Sequence, residues 1–128
     1  MQVFERSLIV TKSDLDELNH VNNIRYVEWV QNIAKAHWLN NASPEIIKEY
    51  YWVMLSHCIA YKSAAFLGDT ILIKTYVKKS EGVKSIRMVD IYNNNNTLLA
   101  SSETTWCLMS SKTNKPARIT EDIIKLFN

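Results

Sequence analysis

Between Asn22 and about Asn40 almost every side chain is apolar or small, and the exceptions fall on one narrow line. Arg25, Glu28, Asn32 and Lys35 recur at steps of three and four, which is the spacing of a helical stripe. Nearly everything else, Ile24, Tyr26, Val27, Trp29, Val30, Ile33, Ala34, Ala36 and Trp38 among it, is apolar or small. A helix with so wide an apolar face must be covered on most sides by other elements. The remainder of the chain offers strands for that purpose. Val3 to Val10 reads as a first strand, and Trp52–Lys62, Asp69–Lys79, Val83–Tyr92 and Thr97–Ser110 read as four more. Ile71, Ile73, Thr75 and Val77 alternate as one face of a strand requires. Glu81-Gly82 and the run Asn93 to Asn96 sit where tight hairpin loops belong. Pro44 to Tyr50 reads as a short helical turn capped by Ser43. After the break at Asn114-Lys115-Pro116, Thr120 to Phe127 reads as a terminal helix. The expected architecture is α+β, one domain over residues 1–128. Its four later strands form a consecutive antiparallel meander that curls around the helix.

Composition limits the functional classes. A chain of 128 residues, 47% apolar, can bury one core without a disulfide or structural metal. A net charge of +2, with no basic run carrying interleaved aromatics, argues against a nucleic-acid partner. No stretch is apolar for long enough to span a membrane, and the first ten residues lack the apolar core of a secretory leader. The cytoplasm is therefore the expected compartment. Cys58 and Cys107 lie far apart in apolar surroundings and are expected to be buried free thiols. The three histidines and two cysteines show no metal-ligand spacing, so no metal site is expected. His37 and His57 read as packed, hydrogen-bonded histidines. With only two glycines in the chain, asparagine is expected to serve some left-handed turns.

The chemistry concentrates between Ser13 and Tyr26, in Ser-Asp-Leu-Asp-Glu-Leu-Asn-His-Val-Asn-Asn-Ile-Arg-Tyr. This stretch delivers an acidic loop onto the N-terminus of the apolar helix. The first turn of a helix presents unpaired N–H groups and a partial positive charge of about half a unit. Such a terminus polarises a carbonyl oxygen, and a carboxylate just ahead of it can activate water or attack directly. A capped helix start with solvated acids explains the same residues without chemistry.

The stretch resembles the signature of the 4-hydroxybenzoyl-CoA thioesterase-like branch of the hotdog superfamily, D-x-D-x-x-G-H-V-N-N-x-x-Y, over Asp14 to Tyr26. It is also similar to the corresponding segment of plant acyl-carrier-protein thioesterases. Ala65-Phe66-Leu67-Gly68-Asp69, Thr105-Trp106 and Thr113-Asn114-Lys115-Pro116 extend the likeness over nearly the whole chain. The resemblance implies a hotdog fold, a central helix wrapped by a curved antiparallel sheet, and hydrolysis of an acyl thioester to acid and thiol. It implies that Asp16 is the catalytic aspartate, acting as general base or nucleophile, that the N–H of Asn23 receives the thioester oxygen, and that His20 assists or positions water. Asn22 and Tyr26, in the same motif, are expected on the substrate side, and Asp14 in a structural role. Four departures stand out. Asn19 replaces the family glycine, Lys62 to Leu67 lacks the Glu-Cys pair of the plant enzymes, and Gln31 stands where many bacterial relatives carry an acid. Leu18 also stands where the plant enzymes have asparagine. Lys78, Lys79, Lys84 and Arg87 flank a hairpin and are expected to meet the phosphates of coenzyme A. No cofactor is expected beyond coenzyme A as part of the substrate. The expected partners are an acyl-CoA or an acyl carrier protein, and a second copy of the chain as dimer or tetramer. The rival activities are acyl-carrier-protein hydrolysis, thioester binding without turnover, and hydratase or dehydratase chemistry.

Overall fold

A computed structural model describes residues 1–128. The apolar run becomes helix α1, Asn23–Asn41, with Asn22 as its cap. Five strands follow the expected positions: β1 Phe4–Ile9, β2 Tyr50–Tyr61, β3 Thr70–Glu81, β4 Lys84–Tyr92 and β5 Leu98–Ser110. Helices α2, Pro44–Glu49, and α3, Glu121–Lys125, complete the chain. Ser43 caps α2 by accepting the N–H of Ile46, with Pro44 in the first turn, where its missing N–H costs nothing.

All five strands form one antiparallel sheet, but not as the expected meander. Its order is β1-β3-β4-β5-β2, so β2 pairs with β5 and never touches β3. The reason lies in the link between β2 and β3, which is too long for a hairpin loop and is tied down along its length. Lys62 and Ser63 donate to the Leu99 carbonyl, Ala65 accepts from Val21 N–H, and Gly68 donates to Val10. The link thus passes the start of α1 and delivers β3 beside β1. β2 and β1 are left as the two edges.

The inward faces of the strands alternate as a half-buried sheet requires. On β4 these are Ser85, Arg87, Val89 and Ile91. α1 lays Tyr26, Trp29, Val30, Ile33, Ala34, His37 and Trp38 against them. The core divides in two. Val30, Ile33, Ile71, Ile73, Val89, Ile91 and Leu99 belong to a larger cluster under the first half of α1. Trp38, Leu108, Ile119, Ile123 and Phe127 form a smaller one under its end. Cover over α1 is less complete than its composition suggests, because Ile24 is 66% exposed and Leu39 49%. One sheet can curl around only one side of a helix. Cys58 is also exposed, contrary to expectation, since it faces outward from edge strand β2; Cys107 is buried.

Candidate active site

The acidic stretch folds as a miniature hairpin. Leu15 and Val21 face one another as an isolated antiparallel bridge. Asp16 N–H donates to the His20 carbonyl at 2.8 Å, and Asn22 N–H to the Asp14 carbonyl at 2.9 Å. Asn19 turns the tip with φ at 61°. A left-handed backbone crowds Cβ in most residues, and Asn tolerates it because its short amide bonds locally. Asparagine thus fills the conformational role of the family glycine.

Asp16 divides its carboxylate. Oδ1 accepts the N–H groups of Leu18 at 2.9 Å and His20 at 3.2 Å, holding the loop. Oδ2 accepts no hydrogen bond from the chain and is available to a water or a reacting carbonyl. The His20 ring packs edge-on against Phe66, with centroids 5.4 Å apart. Its orientation is set by that contact, not by the Asp16 carboxylate.

At the start of α1 the donors sort themselves. Ile24 N–H goes to the Asn22 side-chain oxygen at 3.0 Å, and Arg25 N–H to the Asn22 carbonyl at 2.9 Å. The N–H of Asn23 lies in the first helical position, where no intrahelical acceptor exists. It has no partner in the chain, and Asn23 is an exposed residue. Asp14 accepts Thr11 N–H at 2.8 Å on one oxygen and ion-pairs with Arg25 Nε at 3.1 Å on the other. Arg25 also donates to the Ser13 carbonyl at 2.9 Å. This clasp ties the loop to the helix and gives Asp14 the structural place expected of it.

Several residues fall elsewhere than a shared site would require. The side-chain oxygen of Asn22 is committed to capping. Tyr26 points into the core at 2% exposure, against Trp29 and Tyr61. Its hydroxyl has no hydrogen-bond partner of good geometry, and burial raises its pKa. Lys79 and Lys84 line one shallow cleft with Glu81, Ile86 and Thr105, where Lys79 pairs with Glu81 at 3.0 Å. Lys78 instead reaches Glu103 at 3.6 Å. Arg87 leaves this group altogether, because it faces inward from β4 and is buried. A buried guanidinium cannot meet the phosphates of a ligand on the outer hairpin. Sequence reasoning also passed over Tyr61, whose hydroxyl donates to the Asn23 carbonyl at 3.4 Å. It stands at the end of β2, and only the fold brings it to the helix start.

The profile of a family described as the acyl-ACP thioesterase N-terminal domain matches residues 1–127. The chain belongs to that family. It is a thioester hydrolase with the hotdog fold. Solved structures agree on the fold of this thioesterase. The probable thioesterase YbaW of Escherichia coli superimposes with a TM-score of 0.85 at 22% identity, over 95% of this chain and 94% of that one. A variant of 4-hydroxybenzoyl CoA thioesterase complexed with 4-hydroxybenzoyl CoA gives 0.89 at 11% identity, over the full length of both chains. A hypothetical protein of Staphylococcus aureus in complex with CoA gives 0.86 at 17% identity, over 98% of this thioesterase and 81% of its own length. No curated protein sequence matches the thioesterase significantly.

Proposed function

We propose that the protein hydrolyses acyl-CoA to a free acid and coenzyme A at the junction of the Asp16 hairpin and α1. The thioester oxygen accepts the N–H of Asn23, where the helix terminus favours developing negative charge. The free oxygen of Asp16 removes a proton from water as the water oxygen bonds to the carbonyl carbon. When the C–S bond breaks, that proton goes to the departing sulfur. Direct attack by Asp16, giving a mixed anhydride that water then opens, yields the same products. His20 lies one hydrogen-bonded loop away and positions water. Lys79 and Lys84 meet the nucleotide phosphates. The observation that supports this reading is that the first N–H of α1 and one oxygen of Asp16, in the hairpin that leads into that helix, are both left without a partner in the chain.

Acyl carrier protein is the second carrier, favoured by the family match. Comparing both thioesters of one acyl chain decides between them. A second copy of the chain completes the assembly in this reading. Strand β2 is a free edge twelve residues long, and Tyr51, Val53 and Leu55 stand exposed along it. Such an edge invites pairing. Reduced thiols, as at Cys58 and Cys107, accord with a cytoplasmic setting.

The test is Asp16→Asn. Its amide oxygen retains both loop hydrogen bonds, so the fold is kept while the basic carboxylate is lost. Thiol release from acyl-CoA should fall by about 10²-fold or more, with an unchanged melting temperature. Near-normal turnover would remove Asp16 from the chemistry.

A further inference from the structure

A polar layer runs between the two apolar clusters of the core, and Arg87 is its centre. The residue is 6% exposed, and no carboxylate of the chain pairs with it. Both protons of Nη1 are used: one bonds His37 Nδ1 at 2.9 Å, the other Thr75 Oγ1 at 3.0 Å. The guanidinium lies 5.3 Å from the centroid of Phe127. All three partners are neutral. Because Arg87 can only donate, Nδ1 of His37 must accept, which leaves its Nε2–H to donate to Gln2 at 2.7 Å. Desolvation holds the Arg87 pKa down to about 10, as befits a buried charge without a counterion. Buried charges are ordinarily paired. Here the chain supplies no pair.

Nε and Nη2 bond to nothing in the chain. Together they form the side edge of the guanidinium, the fork that a carboxylate engages with two parallel hydrogen bonds. Arg87 lines a cavity of about 530 Å³ between α1 and the sheet. That volume lies within the range of roughly 300–1,000 Å³ typical of small-molecule sites. Its walls are aromatic, with Trp38, Trp52, Trp106 and Phe127, and its two charged residues are the cations Arg87 and Lys35. No acid lines it. Along α1 its lining runs from Gln31 to Leu39, about 12–24 Å from the helix start at Asn23.

The geometry points to a carboxylate-binding site at Arg87, taking an apolar or aryl body whose carboxylate docks on the free guanidinium edge. The carboxylate comes either from a free acid or from the far end of a dicarboxylic acyl group on the thioester. The second source rests on the thioesterase reading, and the first does not.

The three cavity tryptophans give a direct readout by intrinsic fluorescence. Decanoate should quench it saturably at neutral pH and bind at least tenfold more tightly than decanamide, its neutral counterpart. Arg87→Met should abolish that preference and Arg87→Lys keep part of it, while Asp16→Asn leaves it unchanged. The wild-type comparison stands whether or not the Arg87 variants fold. Equal affinity for acid and amide, or no binding of either, overturns the site. The thioester arm then separates the sources. A tenfold higher kcat/KM for the mono-CoA thioester of hexadecanedioic acid, which is long enough to reach from the helix start to Arg87, than for hexadecanoyl-CoA, lost in Arg87→Met, identifies a substrate carboxylate. Equal kcat/KM with decanoate still preferred to decanamide identifies a free acid. If no thiol is released from either thioester, the hydrolase reading fails while the fluorescence result still decides the site.

Discussion

His37 makes the stability of this protein sensitive to mild acid. The ring is fully buried, stacked on Phe4 at 4.8 Å, edge-on to Phe127, and hydrogen-bonded to Arg87 and Gln2. Desolvation, and after it the neighbouring Arg87 charge, lowers its pKa from 6.5 to about 4. Protonation would place a second cation against the guanidinium and destroy the acceptor at Nδ1. Between pH 6.5 and 4 the unfolded chain therefore binds a proton that the folded chain refuses. The stabilisation is complete above pH 6.5 and is lost as the pH falls toward 4. A shift of that size corresponds to about 3 kcal/mol, at about 1.4 kcal/mol per unit, a sizeable share of the roughly 5–15 kcal/mol that holds a domain folded. The perturbation is His37→Gln, which still offers Arg87 an oxygen but does not titrate. Urea unfolding of both proteins at half-unit steps from pH 7.5 to 4 gives the difference curve. His57, whose pKa burial also lowers, and the carboxylates occur in both proteins and cancel. The difference should grow by about 3 kcal/mol across the window. Parallel curves would show that His37 is charged in the folded protein or open to water, and would refute the reasoning.

At the tip of the Asp16 hairpin, Asn19→Gly should be nearly neutral while Asn19→Val loses about 1–2 kcal/mol; equal melting temperatures would show that the left-handed turn is not strained by a β-branched residue. Cys58 should react with a maleimide in the native protein and Cys107 only on unfolding, a contrast that mass spectrometry of partly labelled protein reads directly. Light scattering at micromolar concentration should give at least twice the monomer mass, and charged substitutions at Val53 and Leu55 should reduce it; a fully active monomer would sink the edge-pairing proposal.

The parts of the structure that depend on neighbours along the chain could be read before any coordinate. The stripe from Arg25 to Lys35 located α1 to within one residue of its ends. Asn96 has positive φ in the run where the scarcity of glycine predicted an asparagine turn, and Asn19 has it where the motif resemblance placed a glycine. Pairing between distant strands was not legible. Nothing in Trp52 to Lys62 says that its partner is β5, because that choice is made by the tethered link from Lys62 to Asp69 and by the edge that β1 occupies. The outward face of Cys58 follows from the same edge position. Arg87 was misassigned for a different reason. Its neighbours in sequence suggested a basic hairpin, whereas the two-residue period it shares with Val89 and Ile91 already put it on the inner face. A charge was allowed to outweigh a periodicity. Asp16 and Asn23 were legible only as types at a spacing; the split roles of the two Asp16 oxygens needed the backbone geometry of the hairpin.

That hairpin also governs how freely the protein can change its sequence. The bonds that fix it run through the main chain and through the Asp16 oxygen, not through the side chains of Glu17 and Leu18, both exposed. Those two positions can drift to other residues without moving the carboxylate. A lineage carrying this motif could therefore redecorate the rim of the hairpin, altering which molecules are welcomed there, while the Asp16 oxygens and the helix start stay fixed.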